Sequence, residues 1–309
     1  FPSHDQLPCL RPLRGFRVDG GRLAMARGIA AASALPVHVS CGQCLACRLE
    51  HANSWAVRCM HEAQVHESKC PCGCQLLGGV PRNSFVTLTY GPEHLPVDLG
   101  LDVSHFQKFV KRLRKKTWFR YFHCGEYGDK NLRPHYHALL FGEDFAADRY
   151  VVRRSNGYVY WSSPTLEKAW GMGHVLIGNV SFQSAAYCAR YSLKKVGGAA
   201  ADEHYRRGDV IVPREYTTMS RRPGIGAAWL AKYGSDVYPS DEVRMNGKKF
   251  PVPKFYDRQV EKVDPAFMEG VRKARVRRAI AMADQVTPER LEARGAIMES
   301  RQAELTREL

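Results

Sequence analysis

An α+β fold is predicted, and three observations predict it. A β-hairpin is written across Arg120 to Phe141, two strand-like runs joined by the strand-breaking turn Gly128-Asp129-Lys130-Asn131-Leu132-Arg133-Pro134. Phe85 to Tyr90 (FVTLTY) is β-branched and aromatic, as strands are. Helical patterns without interruption stand on either side, at Leu45 to Glu67 and from Ser181. With 309 residues the chain can bury a sizeable core in one or two domains.

Taken in order, residues 1 to 40 show basic and Gly-rich patches and no firm element. Cys41, Cys44 and Cys47 form CGQCLAC, and with Cys9 as a fourth ligand they could bind Zn²⁺ tetrahedrally. The competing reading is buried thiols at the start of a helix. From Leu45 to Glu67 the residues Leu45, Leu49, Ala52, Ala56, Cys59 and Ala63 recur at three-to-four spacing, with His61 and His66 read as surface or packing residues. Residues 69 to 82, holding CPCGC, read as an inserted loop. After the strand at 85 to 90, Ser104 is read as the cap of a helix to about Lys116, whose stripe is Phe106, Phe109, Val110 and Leu113. Lys111 and Arg112 belong to its dense basic face, which is either solvated or set against phosphates.

The hairpin follows. Residues two apart in a strand share a face, so His135 and His137 project together while Tyr136 points away. If Glu126 pairs opposite His135, a carboxylate joins the two imidazoles as an open site for a divalent cation. A one-residue slip would bring His123 there instead. The region after Glu143 reads as irregular. Ser163-Pro164 caps a short helix to Trp170 and Gly171, and His174 to Val180 reads as a strand.

Ser181 then opens a helix that Gly197-Gly198 terminates. Tyr187 and Tyr191, four apart, share a face with Arg190, Lys194 and Lys195. An amphipathic packing helix is the plainer alternative. Downstream, Ser220-Arg221-Arg222-Pro223-Gly224-Ile225-Gly226 is either a phosphate-gripping loop or a basic surface turn. Trp229, Tyr233, Tyr238, Phe250, Phe255 and Tyr256 are interspersed with lysines in a mixture suited to stacking single-stranded bases, though several must be core. Beyond Asp257 the chain reads as a charged helical extension, partly disordered without a partner. The domain boundaries so expected are 1–83, 84–200, 201–256 and 257–309.

Composition limits the function. The formal net charge of +15 draws polyanions, nucleic acid first. No apolar run approaches the roughly 18 residues that span a bilayer, so no membrane partner is expected. Ten unevenly spaced cysteines without an export signal point to a reducing cytosol. A free tyrosine is ionised to about one part in a thousand at pH 7, and neighbouring cations would favour the phenolate as nucleophile. A divalent ion on His135, His137 and Glu126 would polarise a scissile phosphate. Attack by tyrosine rather than water would conserve the phosphodiester as a phosphotyrosine that can be resealed, and a second tyrosine allows a second cut.

FVTLTY, then RPHYHALLF, then YCARYSLKK match in order the motifs of HUH endonucleases of the rolling-circle class. The double-tyrosine form resembles that of replication initiators from small single-stranded DNA phages. CGQC, the GEYG before the histidines and MSRRPGIG at Met219 to Gly226 resemble the gokushovirus-like branch of microviruses. The resemblance runs from about Cys41 to Tyr256. It implies a central antiparallel sheet flanked by helices, the ferredoxin- or RRM-like palm of HUH nucleases. Mg²⁺ or Mn²⁺ would be required, and the products would be a 5′-phosphotyrosine and a free 3′-OH. His135 and His137 would be ligands, Tyr187 and Tyr191 nucleophiles and Lys194 a supporting cation. Partners would be the single-stranded origin of a phage replicative form and the host replication helicase and polymerase, in the host bacterial cytoplasm. The CPCGC insertion departs from the family pattern. An HUH transposase or relaxase, and a non-catalytic zinc-stabilised DNA-binding protein, are the alternatives.

Overall fold

The computed structural model describes residues 9–17, 23–25, 36–67, 82–128, 131–194, 201–238 and 240–304. It divides into two units, residues 1–51 with 240–309, and residues 52–239. The chain opens with β1 (Leu13–Arg17), β2 (Leu23–Met25) and β3 (Pro36–Val39), followed by the long helix α1 (Leu45–Glu67). Next come β4 (Asn83–Tyr90), α2 (Val103–Leu113), β5 (Arg120–Tyr127), β6 (Pro134–Phe141), β7 (Tyr150–Ser155) and β8 (Tyr158–Ser162). Then follow α3 (Pro164–Trp170), β9 (Gly173–Gly178), α4 (Phe182–Lys194), the single turn α5 (Ala201–His204), the short β10 (Arg206–Arg207) and β11 (Val210–Ile211), β12 (Tyr216–Met219) and α6 (Ala227–Val237). The chain closes with β13 (Glu242–Met245), β14 (Lys248–Pro251), α7 (Lys254–Val263), α8 (Pro265–Ala281) and α9 (Pro288–Glu304).

The α+β expectation holds. A seven-stranded sheet of order β12-β5-β6-β4-β9-β8-β7 forms the centre of the larger unit, antiparallel throughout. Its central strands β5 and β6 are buried on both faces because helices cover both. One face carries Val86, Leu88, Tyr136, Ala138 and Leu140 against α2 and α3, with Trp170 fully buried. The other carries Phe122, Cys124, Leu139 and Phe141 against Ala52, Ala56, Cys59 and Ala63 of α1 and Ala185, Cys188 and Ala189 of α4. The α4 side chains here are small, so its backbone approaches β5, β6 and β12 closely.

The N-terminal cap of α2 is Asp102, which accepts from Ser104 N, and the helix ends at Leu113 rather than Lys116. An aspartate at the cap outcompetes the serine because its carboxylate meets both an orphan N–H and the positive end of the helix. Ser163 does cap α3, and Gly171 closes it in the left-handed region at φ 64°. Two features were not anticipated. The stretch after Glu143 contains the β7–β8 hairpin, turned by Asn156 and Gly157 with φ of 51° and 75°. Residues 13–39 contribute a three-stranded antiparallel sheet, order β2-β1-β3.

That sheet belongs to the smaller unit, together with the β13–β14 hairpin and the helices α7 to α9. There Arg275 donates to Asp241 at 2.6 Å and to Asp257 at 2.7 Å, fixing α8 to α7 and to the turn before β13. Among the aromatics expected to stack on bases, Trp229, Tyr238 and Tyr256 are buried. The CPCGC insertion at 70–74 lies outside the described residues.

Candidate functional site

Register creates the site. In the β5–β6 ladder Glu126 lies opposite His135 and Cys124 opposite His137, so the three polar side chains stand on the α4 face. The slip that would have substituted His123 does not occur; that residue points to the α2 face and stacks on Phe106.

His135 Nε2 lies 2.5 Å and His137 Nε2 2.9 Å from Glu126 Oε1. Tyr187 reaches the same oxygen, its hydroxyl donating at 3.0 Å. Two imidazoles and a phenol therefore converge on one carboxylate oxygen. Ala185, Cys188 and Ala189 put α4 near enough to the sheet for this reach, and Phe85 borders it, parallel to His137 and edge-on to Tyr187.

The outer contacts orient the rings. His135 Nδ1 faces the carbonyl of Arg133 at 3.0 Å, and a carbonyl only accepts, so the ring proton sits on Nδ1. The Nε2 lone pair then points at a carboxylate, which requires a proton or a cation between them. His137 Nδ1 meets Thr87 Oγ1 at 2.9 Å, which likewise leaves Nε2 facing Glu126. Glu126 Oε2 is buried and has no hydrogen-bond partner. Two imidazole nitrogens and a carboxylate with one orphaned buried oxygen fit a divalent cation held by Glu126, His135 and His137, whose ligand atoms lie within 4.8 Å of one another.

The electrostatics follow from burial. It would raise the Glu126 carboxyl, yet the bonds to His135 and His137 outweigh it and hold the group below the usual carboxylate range. Burial pulls His137 down, with Glu126 opposing. Tyr187 is pushed well above an ordinary phenol, first by burial and then by the Glu126 charge. Without a cation the hydroxyl is thus held in its protonated form.

The remaining sequence candidates are spread out. Tyr191 and Lys194 continue α4 one and two turns on, but their side chains, and Lys195 altogether, lie outside the described residues. Arg190 is exposed on the same helix. Lys111 and Arg112 sit on α2, across the sheet from the imidazoles; Arg112 donates to the carbonyls of Ala169 and Trp170 at 2.6 and 2.9 Å, closing the end of α3. Arg221 and Arg222 are exposed on the loop after β12.

That loop is held by a network the sequence did not disclose. Arg120 of β5 pairs with Glu62 of α1 and donates to Pro223 O at 2.5 Å. Glu62 Oε2 accepts from Gly226 N at 2.7 Å, and Arg58 donates to Ile225 O at 3.1 Å. The partners lie tens of residues apart, so no local spacing could have announced them.

A family model described as replication-associated protein ORF2/G2P matches residues 83–196, the span from β4 through α4 that holds Glu126, His135, His137 and Tyr187. Replication-associated protein VP4 of Bdellovibrio phage phiMH2K is 32% identical over 275 residues, covering 83% of this chain and 78% of its own. Replication-associated protein ORF2 of Spiroplasma virus 4 is 33% identical over 238 residues, 72% of this chain and 68% of that one. The chain belongs to this family of phage replication-associated proteins. Replication-associated protein ORF4 of Chlamydia phage 1 is more distant, 27% identical over 227 residues and 70% of this chain against 52% of its own. No solved structure matches. As a phage replication-associated protein the chain has the role of a replication initiator, consistent with its net charge of +15. Among the described residues no helix is long and apolar enough to cross a membrane.

Proposed function

We propose that this initiator nicks and rejoins single-stranded DNA at a specific origin through a 5′-phosphotyrosine, starting and ending rolling-circle replication of a small circular phage genome. The observation that carries the reading is the meeting of Tyr187 Oη, His135 Nε2 and His137 Nε2 on Glu126 Oε1. A phenol three ångströms from a carboxylate that two imidazoles share has little structural purpose in a site of this polarity, and good chemical purpose.

On this reading His135, His137 and Glu126 hold Mg²⁺ or Mn²⁺. An ion held there would supply Lewis-acid polarisation of the scissile phosphate and would offset the Glu126 charge that otherwise keeps Tyr187 protonated. Tyr187 passes its proton to water and its oxygen attacks phosphorus. The P–O3′ bond breaks, the 3′ oxygen leaves and takes up a proton, and the 5′ phosphate stays on tyrosine. Reversal by a 3′-OH reseals the strand. Tyr191 serves as the second nucleophile and Lys194 as the cation beside them. Arg190, Lys195, Arg221, Arg222 and Lys111 contact the DNA backbone, which fixes register without reading sequence. Residues 84–200 then supply the chemistry and 201–256 much of the grip.

The test is a covalent adduct. The full chain is incubated with single-stranded origin DNA and Mn²⁺ and run on a denaturing gel. The reading expects a shifted species that EDTA abolishes and that Tyr187→Phe combined with Tyr191→Phe removes. A protein that binds the DNA yet gives no adduct in any lane would be a non-catalytic binder, and the proposal would fall. Mass spectrometry of the adduct peptide identifies which tyrosine acts first.

A further inference from the structure

Four cysteines far from the nicking centre in sequence are brought to one point. Cys9 precedes β1, Cys41 and Cys44 lie in the loop after β3, and Cys47 is in the first turn of α1, all within the unit formed by residues 1–51 and 240–309. Their sulfur atoms lie within 4.8 Å of one another. Cys9 Sγ and Cys44 Sγ are 3.8 Å apart. A disulfide would need about 2 Å, and all four are free thiols. A tetrahedron of sulfurs around Zn²⁺, with Zn–S of about 2.3 Å, has edges of about 3.8 Å.

The backbone is arranged for anionic sulfur. Cys41 N donates to Cys9 Sγ at 3.2 Å, while Gln43 N and Cys44 N donate to Cys41 Sγ at 3.4 and 3.3 Å. Gly42 makes this tight turn in the left-handed region, φ 73°, which a side chain would strain. The N-terminus of a 23-residue helix adds its positive end beside Cys44 and Cys47. Cys9 and Cys47 are buried and Cys41 and Cys44 half-buried, so the set is shielded without being sealed.

We propose that Cys9, Cys41, Cys44 and Cys47 bind one Zn²⁺ as a closed, structural site. Four thiolates complete a tetrahedron and leave no position for water or substrate, so the site does no chemistry. Its work is to staple the segment before β1 to the start of α1, closing the small sheet on a unit in which few of the described residues are buried. A site of this kind ties folding of that unit to the metal. The proposal is independent of the nicking reading.

The experiment measures metal in the full chain. Protein purified under reducing conditions and dialysed against a mild chelator should retain about one zinc per chain, as a closed thiolate site does. Cys41→Ser combined with Cys44→Ser should lower that content at least tenfold, and His135→Ala combined with His137→Ala should leave it unchanged. Because the cysteine variant could misfold, Co²⁺ exchange into the unaltered chain gives a second readout. It should produce the strong visible bands and thiolate charge-transfer absorption of tetrahedral cobalt. Zinc absent from the reduced chain, zinc unaffected by the cysteine changes, iron in its place, or a cobalt spectrum without thiolate bands would each overturn the proposal.

Discussion

His123 and His137 lie on neighbouring strands of one hairpin and face opposite sides of it. On the α2 side His123 is fully buried, stacks on Phe106 with ring centroids 3.4 Å apart, and bonds Thr218 through Nδ1. Burial, and secondarily His137, keep it well below an ordinary imidazole, so it behaves as an aromatic core residue. On the α4 side His137 meets a carboxylate and a phenol instead. The residue type is the same; the helix laid over each face decides what it does. On the α2 side phenylalanines cover the histidine and make a core; on the α4 side Ala185, Cys188 and Ala189 cover the strand and Tyr187 reaches the carboxylate, which leaves a polar cluster.

The sharpest way to break that contrast is to exchange the two histidines' fates. His137→Ala should reduce the single-turnover rate of origin cleavage about 10³-fold or more, several kcal/mol of transition-state stabilisation. His123→Phe keeps a stacked ring and should leave the rate within about threefold, any cost falling on stability at about 1–3 kcal/mol. Equal losses in the two variants would mean that strand parity does not divide chemistry from core.

The second test concerns the loop on the reactive side. Arg120 is buried against Glu62 and the carbonyls of Arg222 and Pro223, so Arg120→Met leaves a buried carboxylate without its cation. Urea unfolding should show a loss of about 3–5 kcal/mol. Adding Glu62→Leu should recover part of it. DNA affinity should fall in the single variant even where it remains folded, because Arg221 and Arg222 ride on the loop those groups fasten.

A smaller effect is expected across the sheet. The Tyr136 hydroxyl joins Tyr90 Oη at 2.7 Å, accepts from Asp102 N at 3.0 Å and donates to Asp102 O at 2.9 Å. Tyr136→Phe strands those groups and should cost about 1–3 kcal/mol in thermal or urea unfolding. Adduct yield per folded molecule should not change. A fall in yield would show that the two faces are coupled.

How much of this was legible follows from the range of the interactions. Alternation put His135 and His137 on one face, and the turn residues made the Glu126 pairing available, because both are local. The helix at 45–67 was legible for the same reason. The two Asn-Gly turns, at 156–157 and 246–247, were legible and overlooked: both have left-handed φ at both positions, the geometry that matches strand twist. Ser104 was chosen as cap over Asp102 because both residue types suit it, and only the helix start decides. Glu62, Arg120 and the backbone groups of residues 222–226 were beyond reach, since a buried ion pair between a helix and a strand leaves no spacing to read. The bonds from Arg112 to the carbonyls of Ala169 and Trp170 were hidden for a related reason, since every sequence carries carbonyls and none announces which will be met.

A third histidine extends the contrast to pH. His61, on α1, is buried and stacks on Trp229 with centroids 3.4 Å apart, and burial pushes its pKa down to about 3. In the unfolded chain an ordinary histidine titrates near 6.5. Between those values the unfolded state binds a proton that the folded state refuses, so stability falls as pH drops through that window. At pH 5.5 this single group should remove roughly 1.4 kcal/mol relative to pH 8. His61→Phe retains a ring for Trp229 and has nothing to titrate, so its urea midpoint should fall less than that of the unaltered chain between pH 8 and 5.5. Glu62, one residue on, acts in a separate range. Burial would raise its carboxyl, but the bonds from His66, Gly226 N–H and Arg120 prevail and depress it. Its stabilisation is complete above the unfolded carboxylate pKa near 4.3 and is lost only as pH falls further, so it does not blur the histidine effect. Parallel pH curves for the two proteins above pH 5 would mean that His61 accepts its proton in the folded state, and that stacking on an aromatic ring does not make a histidine a core residue.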